Sequence, residues 1–161
     1  MKPFLIELPQ FVDDRGVVHG IIDEMDALTY KVGEEYIAVP TITRSYVVRN
    51  WQVGYIRAFH GHTHAWTGLH VVSGATKIVC KPILKDRAAC ADEVVSTTLA
   101  ACKPSIYWVP PGWYNGAMSL SSDTILVVFS TLSMSSVKAL GDDVRLPFTD
   151  TDLHFFNVVP R

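Results

Sequence analysis

Apolar residues in this chain fall in short runs that alternate with polar ones, and β-branched and aromatic side chains dominate them. Helical periodicity is nearly absent, and a period of two is the signature of half-buried strands. The pattern predicts strands at Phe4–Glu7, Val17–Ile22, Tyr36–Val39, Thr43–Val48, Tyr55–His62, Thr67–Val72, Ala75–Lys81, Glu93–Leu99, Ser105–Val109, Asn115–Ser119 and Thr124–Thr131. Gly20, Gly33, Gly54, Gly74, Gly112 and Gly116 stand at or near the gaps, where turns need them. Lys85–Asp92 reads as a helical turn, Ser135–Leu140 as a short helix, and the tail from Gly141 as irregular. So many short strands at regular spacing imply an all-β antiparallel sandwich or barrel. With no repeat and no linker in view, residues 1–161 are expected to form one domain.

Composition narrows the function classes. A hydrophobic content of 48% against 19% charged residues supports a packed core and excludes a disordered tail. The net charge is −2 and no basic stripe appears, so nucleic acid is not an expected partner. Apolar stretches such as Thr124–Thr131 are too short to span a bilayer, and Met1-Lys2-Pro3-Phe4 does not begin a signal peptide, so no membrane partner and a cytoplasmic location are expected. Cys80, Cys90 and Cys102 are an odd number with no Cys-x-x-Cys pair, which fits reduced thiols better than a disulfide framework.

The chemistry gathers at Arg57-Ala58-Phe59-His60-Gly61-His62-Thr63-His64. On a strand, His60, His62 and His64 share one face. Imidazole titrates near neutrality and is also the commonest metal ligand, so the run suits either a metal site or proton transfer. His64 fits a rim or interface position, His70 a core or interface histidine within an apolar strand, and His19 and His154 the surface. Arg57 is three residues from His60, which a regular strand would place on the opposite face. Both can line one cavity only if the strand bulges, at Ala58-Phe59.

His-x-His on a barrel strand, followed by Pro110-Pro111-Gly112-Trp113-Tyr114-Asn115, resembles the cupin pattern. Metal-binding cupins carry a Glu shortly after the first motif and a His at the end of the second. Ala65–Gly68 contains no carboxylate and Asn115 stands at the other position, so no metal is expected. Four segments in register extend the likeness: Asp13-Asp14-Arg15-Gly16, Gly54-Tyr55-Ile56-Arg57-Ala58-Phe59-His60, Val71-Val72-Ser73-Gly74 and Val109-Pro110-Pro111-Gly112. Together, over about residues 11 to 152, they resemble the dTDP-4-dehydrorhamnose 3,5-epimerase family and its smaller relatives, the dTDP-sugar 3,4-ketoisomerases.

That resemblance implies a cupin-type double-stranded β-helix, a jelly-roll-like barrel with a short helical or irregular C-terminal segment. It also implies a homodimer acting on a nucleotide-linked 4-keto-deoxysugar without a cofactor. His60 falls where the epimerases keep their base, Arg57 on their substrate-binding arginine, and Asp150 roughly where an aspartate pairs with the base. Their tyrosine aligns with Phe129 and their lysine near Thr67, so both of those groups are lost. The ketoisomerase His-x-His pair matches His60 and His62, and their Lys-Arg-x-Tyr strand resembles Thr43-Arg44-Ser45-Tyr46. The tail Asp142-Asp143-Val144-Arg145-Leu146-Pro147 looks more like the epimerases.

A 4-ketosugar has acidified C–H bonds beside its carbonyl, and a base near neutrality can remove one when the enolate oxygen is stabilised. Epimerisation then needs a second proton donor across the sugar, a role open to Tyr46 or Tyr114. Isomerisation needs a shuttle between neighbouring atoms, which His60 and His62 could provide. Arg15, Arg49 and Arg57 are candidate pyrophosphate grips, since guanidinium binds phosphate oxygens in pairs. Trp113 and Tyr114, after the Pro-Pro-Gly turn, are the aromatic residues expected against the ligand, with Asn115 beside them. The expected activity is epimerisation of a nucleotide-diphosphate 4-keto-deoxysugar in surface-polysaccharide or glycoside synthesis, with 3,4-ketoisomerisation as the alternative. A metal-dependent oxygenase or a sugar-binding module is the reading from a different class.

Overall fold

A computed structural model of the protein describes residues 1–22 and 27–158. Most strands form where the alternation puts them, and β2 and β4 are additional: β1 (Phe4–Glu7), β2 (Phe11–Asp13), β3 (Gly16–Val18), β4 (Leu28–Val32), β5 (Glu35–Val39), β6 (Arg44–Asn50), β7 (Ile56–His62) and β8 (Thr67–Ser73). They continue with β9 (Ala75–Pro82), β10 (Val95–Ala100), β11 (Ser105–Val109), β12 (Trp113–Ser119), β13 (Thr124–Ser130) and β14 (Val144–Arg145). The helices are α1 (Met134–Leu140) and the single turn α2 (Leu153–Phe156).

Three expectations change. The strand expected over Val17–Ile22 is paired only as far as Val18, in a hairpin with β2. The helical turn expected over Lys85–Asp92 is displaced to a 3-10 turn at Ala91–Glu93. The tail from Gly141 is ordered, because β14 pairs with β7 and α2 docks on the second sheet.

Ten strands build two antiparallel sheets, ordered β1-β11-β8-β13-β6 and β10-β9-β12-β7-β14. The sheets stack as a sandwich, one of the two forms expected from the sequence, and are not closed into a barrel. Leu69, Val71, Tyr107, Leu126 and Val128 of the first sheet meet Ile78, Cys80 and Leu99 of the second to form the central core. Both outer faces are covered as well. Ile37 and Val39 of β5 lie over Phe4, Ile106, Trp108 and Phe129, while Phe156 from the tail packs on Phe59 and Val79. Burial on two faces explains why Ser105–Val109 is buried at every position rather than at alternate ones. Each fully buried side chain of the size of Trp108 or Phe59 contributes about 1.5–3 kcal/mol.

The segment that follows β13 positions the tail. Ser133 caps α1 by accepting from the Ser136 amide, and Gly141 ends it in the left-handed region at φ 62°, where a side chain would be strained. The chain then turns back along the edge of β7. Val144 pairs with Gly61 and Arg145 with His60. This return brings Asp142 and Asp143 to the end of the histidine strand.

Candidate active site

A cavity of about 740 Å³ opens between the two sheets, with α1 closing one side. Its second-sheet wall depends on a bulge. On β7, Arg57 pairs with Ala117 of β12 and His60 pairs with Asn115, so Ala58 and Phe59 together oppose only Gly116. The extra residue restores the phase of the strand. Arg57 and His60 therefore both face the cavity, while Phe59 turns outward into the layer beneath the tail. Gly116 is required here: a Cβ at that position would stand 2.6 Å from the Ala58 Cβ.

His60 is half-exposed, and its Nδ1 lies 3.6 Å from Oδ1 of Asp143. Asp143 also accepts from Arg145, whose Nη2 is 3.1 Å from Oδ2. Burial works to raise the Asp143 carboxyl, but the Arg145 bond and the nearby His60 outweigh it and hold the group below its usual range. Asn115 donates from Nδ2 to the His60 carbonyl at 3.1 Å, fixing the backbone beneath the ring. His62 lies deeper, with 15% of its side chain exposed, and its Nδ1 meets the backbone carbonyl of Asp142.

The first-sheet wall is supplied by β6. Alternation turns Arg44, Tyr46 and Val48 inward, above an apolar floor of Leu69, Leu126 and Val128. The Arg44 guanidinium lies 4.8 Å from the centre of the Tyr46 ring, a cation–π contact. Partial burial raises the Tyr46 phenol above its ordinary value, with Arg44 opposing, so near neutrality the group is a proton donor. Arg57 donates from Nε to Oδ1 of Asn50 at 2.7 Å. From α1, Met134, Val137 and Lys138 complete the lining. Salt bridges among the described residues leave Arg44, Arg57 and Lys138 without a carboxylate partner. Three uncompensated cations around one cavity favour an anionic ligand.

Of the residues singled out from the sequence, Tyr46, Arg57, His60, His62 and Asn115 line this cavity. Five do not. Asp150 is exposed at the start of a 3-10 turn that follows β14, and it is Asp143, not Asp150, whose carboxylate stands beside His60. Arg15 is exposed on the β2–β3 hairpin and paired with Asp13. Arg49 alternates with Val48 and is exposed on the other side of β6. Tyr114 lies on the outer face of β12, against the Phe59 layer. Trp113 packs against the central core and donates its indole N–H to the Met1 carbonyl at 2.8 Å.

Phe129 also lies outside the cavity, on the covered outer face, and Val128 takes the inward position. The phenol missing from β13 is thus not replaced in place; Tyr46 on the neighbouring strand is the phenol the cavity holds. Arg44, Lys138, Asp143 and Arg145 were missed as site residues. Period-two alternation from Tyr46 would have found Arg44. Asp143 and Arg145 lie in the tail segment Asp142–Pro147, where the sequence shows no partner for either. His64 stays on the rim with 58% of its side chain exposed, and His70 is fully buried. His19, expected at the surface, is half-buried with its ring edge against His70.

The inward-facing His60 and His62 thus stand on one sheet of an all-β antiparallel sandwich, on the strand that the tail folds back along. No protein-family model matches the chain, and no curated protein matches it. Solved structures do. A dTDP-4-dehydrorhamnose 3,5-epimerase from Bacillus anthracis, crystallised with TDP and pyrophosphate, superposes with a TM-score of 0.69 at 19% identity, covering 94% of this chain and 82% of that one. The sugar 3,4-ketoisomerase QdtA from Thermoanaerobacterium thermosaccharolyticum, in complex with TDP, gives 0.65 at 18% identity, over 90% of this chain and 88% of that one. A 3'-monoepimerase from Streptomyces bikiniensis, in complex with dTDP-quinovose, gives 0.69 at 14% identity, over 94% and 72%. At these identities the likeness establishes a shared fold.

Proposed function

We propose that this protein is an isomerase that epimerises a nucleotide-diphosphate 4-keto-deoxysugar. One observation carries the reading: a base and an acid face each other from opposite sheets across a single cavity rimmed by unpaired cations. His60, with Asp143 beside Nδ1, is the base that removes the C–H proton next to the ketone. Asp143 favours the imidazolium that forms and sets the ring's orientation. Tyr46 lies on the opposite wall and returns a proton to the other face of the planar enolate. Arg44, Arg57 and Lys138 supply charge for the diphosphate and for the enolate oxygen. The solved structures of this fold that carry TDP or a dTDP-sugar support the same ligand class.

The chemistry needs no cofactor, because the ketone itself acidifies the bond that breaks. A homodimer working in the cytoplasm, in polysaccharide or glycoside synthesis, fits this reading. No helix among the described residues is long and apolar enough to cross a membrane. A second reading, 3,4-ketoisomerisation, is favoured by His60 and His62 bordering the cavity from one strand, since two neighbouring imidazoles can pass protons between adjacent positions.

Incubation with dTDP-4-keto-6-deoxyglucose in deuterated water, followed by NMR, separates these activities. Deuterium entering C3 or C5 with inversion is the expected result, and a ketone relocated to C3 would replace epimerisation by isomerisation. Neither exchange nor rearrangement would overturn both for this substrate. His60→Ala should abolish turnover, and a variant that retains it removes His60 as the base. A stoichiometric first-row metal in the purified protein would favour the oxygenase reading instead.

A further inference from the structure

Asp142 does not line the cavity, and its side chain has no exposed surface. Its carboxylate nevertheless gathers the three residues that follow His62. It accepts from the Thr63 amide at 2.6 Å, the Thr63 hydroxyl at 2.9 Å, and the His64 and Ala65 amides at 3.0 Å each. The His64 ring meets the same carboxylate from the rim, with Nδ1 3.2 Å from Oδ1. This cluster clamps the end of β7 to the turn between α1 and β14.

The clamp has a chemical result at His62. The backbone carbonyl of Asp142 can only accept, so the His62 Nδ1 that meets it carries the hydrogen. Neutral His62 then keeps its lone pair on Nε2, which makes no hydrogen bond among the described residues while the ring borders the cavity. The next residue along, Asp143, stands beside Nδ1 of His60. Two consecutive residues therefore engage the Nδ1 atoms of both cavity histidines, Asp142 through its carbonyl with its carboxylate 3.4 Å away, and Asp143 through its carboxylate.

We propose that Asp142 is a positioning residue that locks His62 in its Nδ1–H tautomer and seats Asp143 against His60, so that both rings offer Nε2 to the substrate. His62 is then a second proton acceptor, its Nδ1 held by the Asp142 carbonyl with Oδ2 of the same residue 3.4 Å away, beside His60, whose Nδ1 faces Asp143. The kinetic consequence rests on the ketosugar reading; the tautomer does not.

Long-range 1H–15N correlation spectra of the full chain, labelled at histidine and recorded above neutral pH, read the tautomer without substrate. The expected spectrum shows His62 protonated at Nδ1 and bare at Nε2. In Asp142→Asn the new amide turns a donor toward the Ala65 N–H, and the His62 signals should move to the averaged mixture of a free imidazole. In the same variant, turnover should fall roughly 10²-fold with little change in KM, as for a small misplacement of a reacting group. Thr63→Val, which deletes only one donor, should keep the wild-type tautomer. A wild-type His62 that is protonated at Nε2 or averaged overturns the proposal, and so does a folded Asp142→Asn with unchanged His62 signals. Should Asp142→Asn fail to fold, the wild-type tautomer and its retention in Thr63→Val decide. The predicted tautomer without any ketosugar turnover would sink the enzymatic reading and leave the role of Asp142 standing.

Discussion

Replacing Lys81 by Met probes how the tail that delivers Asp143 and Arg145 is held against the second sheet. Lys81 and Asp152 form an ion pair in which the side chains are only 10% and 7% exposed. The ammonium also lies 4.6 Å and 4.9 Å from the ring centres of Phe59 and Phe155. Met preserves the length and the apolar stem, so the packing volume changes little. What is lost is the charge that balances Asp152, whose remaining donors are the amide and hydroxyl of Thr149.

Removing one partner of a buried pair costs about 3–5 kcal/mol, and the Thr149 bonds place this case near about 3 kcal/mol. In a chain of this size that corresponds to a fall in Tm of roughly 6–12 °C. Calorimetry and urea titration measure both quantities. Adding Asp152→Asn keeps an acceptor for Thr149 and removes the stranded charge, so the double variant should regain most of the loss. A single variant that melts within about 2 °C of wild type, or a double variant no better than the single, would refute the account of the pair as the anchor of the tail.

Acid should loosen the same region. Burial raises the Asp142 carboxyl, but the bonds from Thr63, Ala65 and His64 more than offset it and hold it at about 2; Asp143 and Asp152 are also lowered. A depressed folded pKa gives stability that is complete above the unfolded value of about 3.9 and is lost as pH falls through the folded value. Melts between about pH 5 and pH 2 should show roughly 1–2 kcal/mol of screened loss traceable to Asp142, absent in Asp142→Asn. Tyr46→Phe should cut inversion by about 10²-fold or more while solvent deuterium still enters the substrate, because the base is intact and the acid is gone; equal loss of both would remove Tyr46 as the second donor. Arg57→Met should weaken TDP binding by about 1.5–3 kcal/mol, about 10- to 150-fold in Kd, by titration calorimetry. Unchanged affinity would take Arg57 off the diphosphate.

Much of this protein is readable in one dimension. Period-two alternation, with glycines at the gaps, specifies β1, β8, β11 and β13 to within a residue or two, because side-chain direction on a strand is a local property. The same rule found the inward face of β7, and the spacing of Arg57 and His60 demanded a bulge where Ala58 and Phe59 provide one. The hairpin strands β2 and β4 passed unrecognised: β2 is too short, at three residues, to show a period, and β4 was overlooked although Leu28–Val32 alternates. Tyr114 was misjudged because both faces of β12 are covered, so alternation could not say which face looks into the cavity.

What the sequence determined by itself is most strands of the two main sheets, the shared face of His60 and His62, and the need for a bulge to bring Arg57 beside them. What only the tertiary structure decided is who stands opposite and who stands behind. Asp143 rather than Asp150 neighbours His60, Tyr46 faces it from the other sheet, and Asp142 clamps His62 across about eighty residues of chain. Those partnerships are set by how one sheet stacks on another and how the tail folds back along β7. Such long-range closures depend on the packing of the whole chain, and no local period records them.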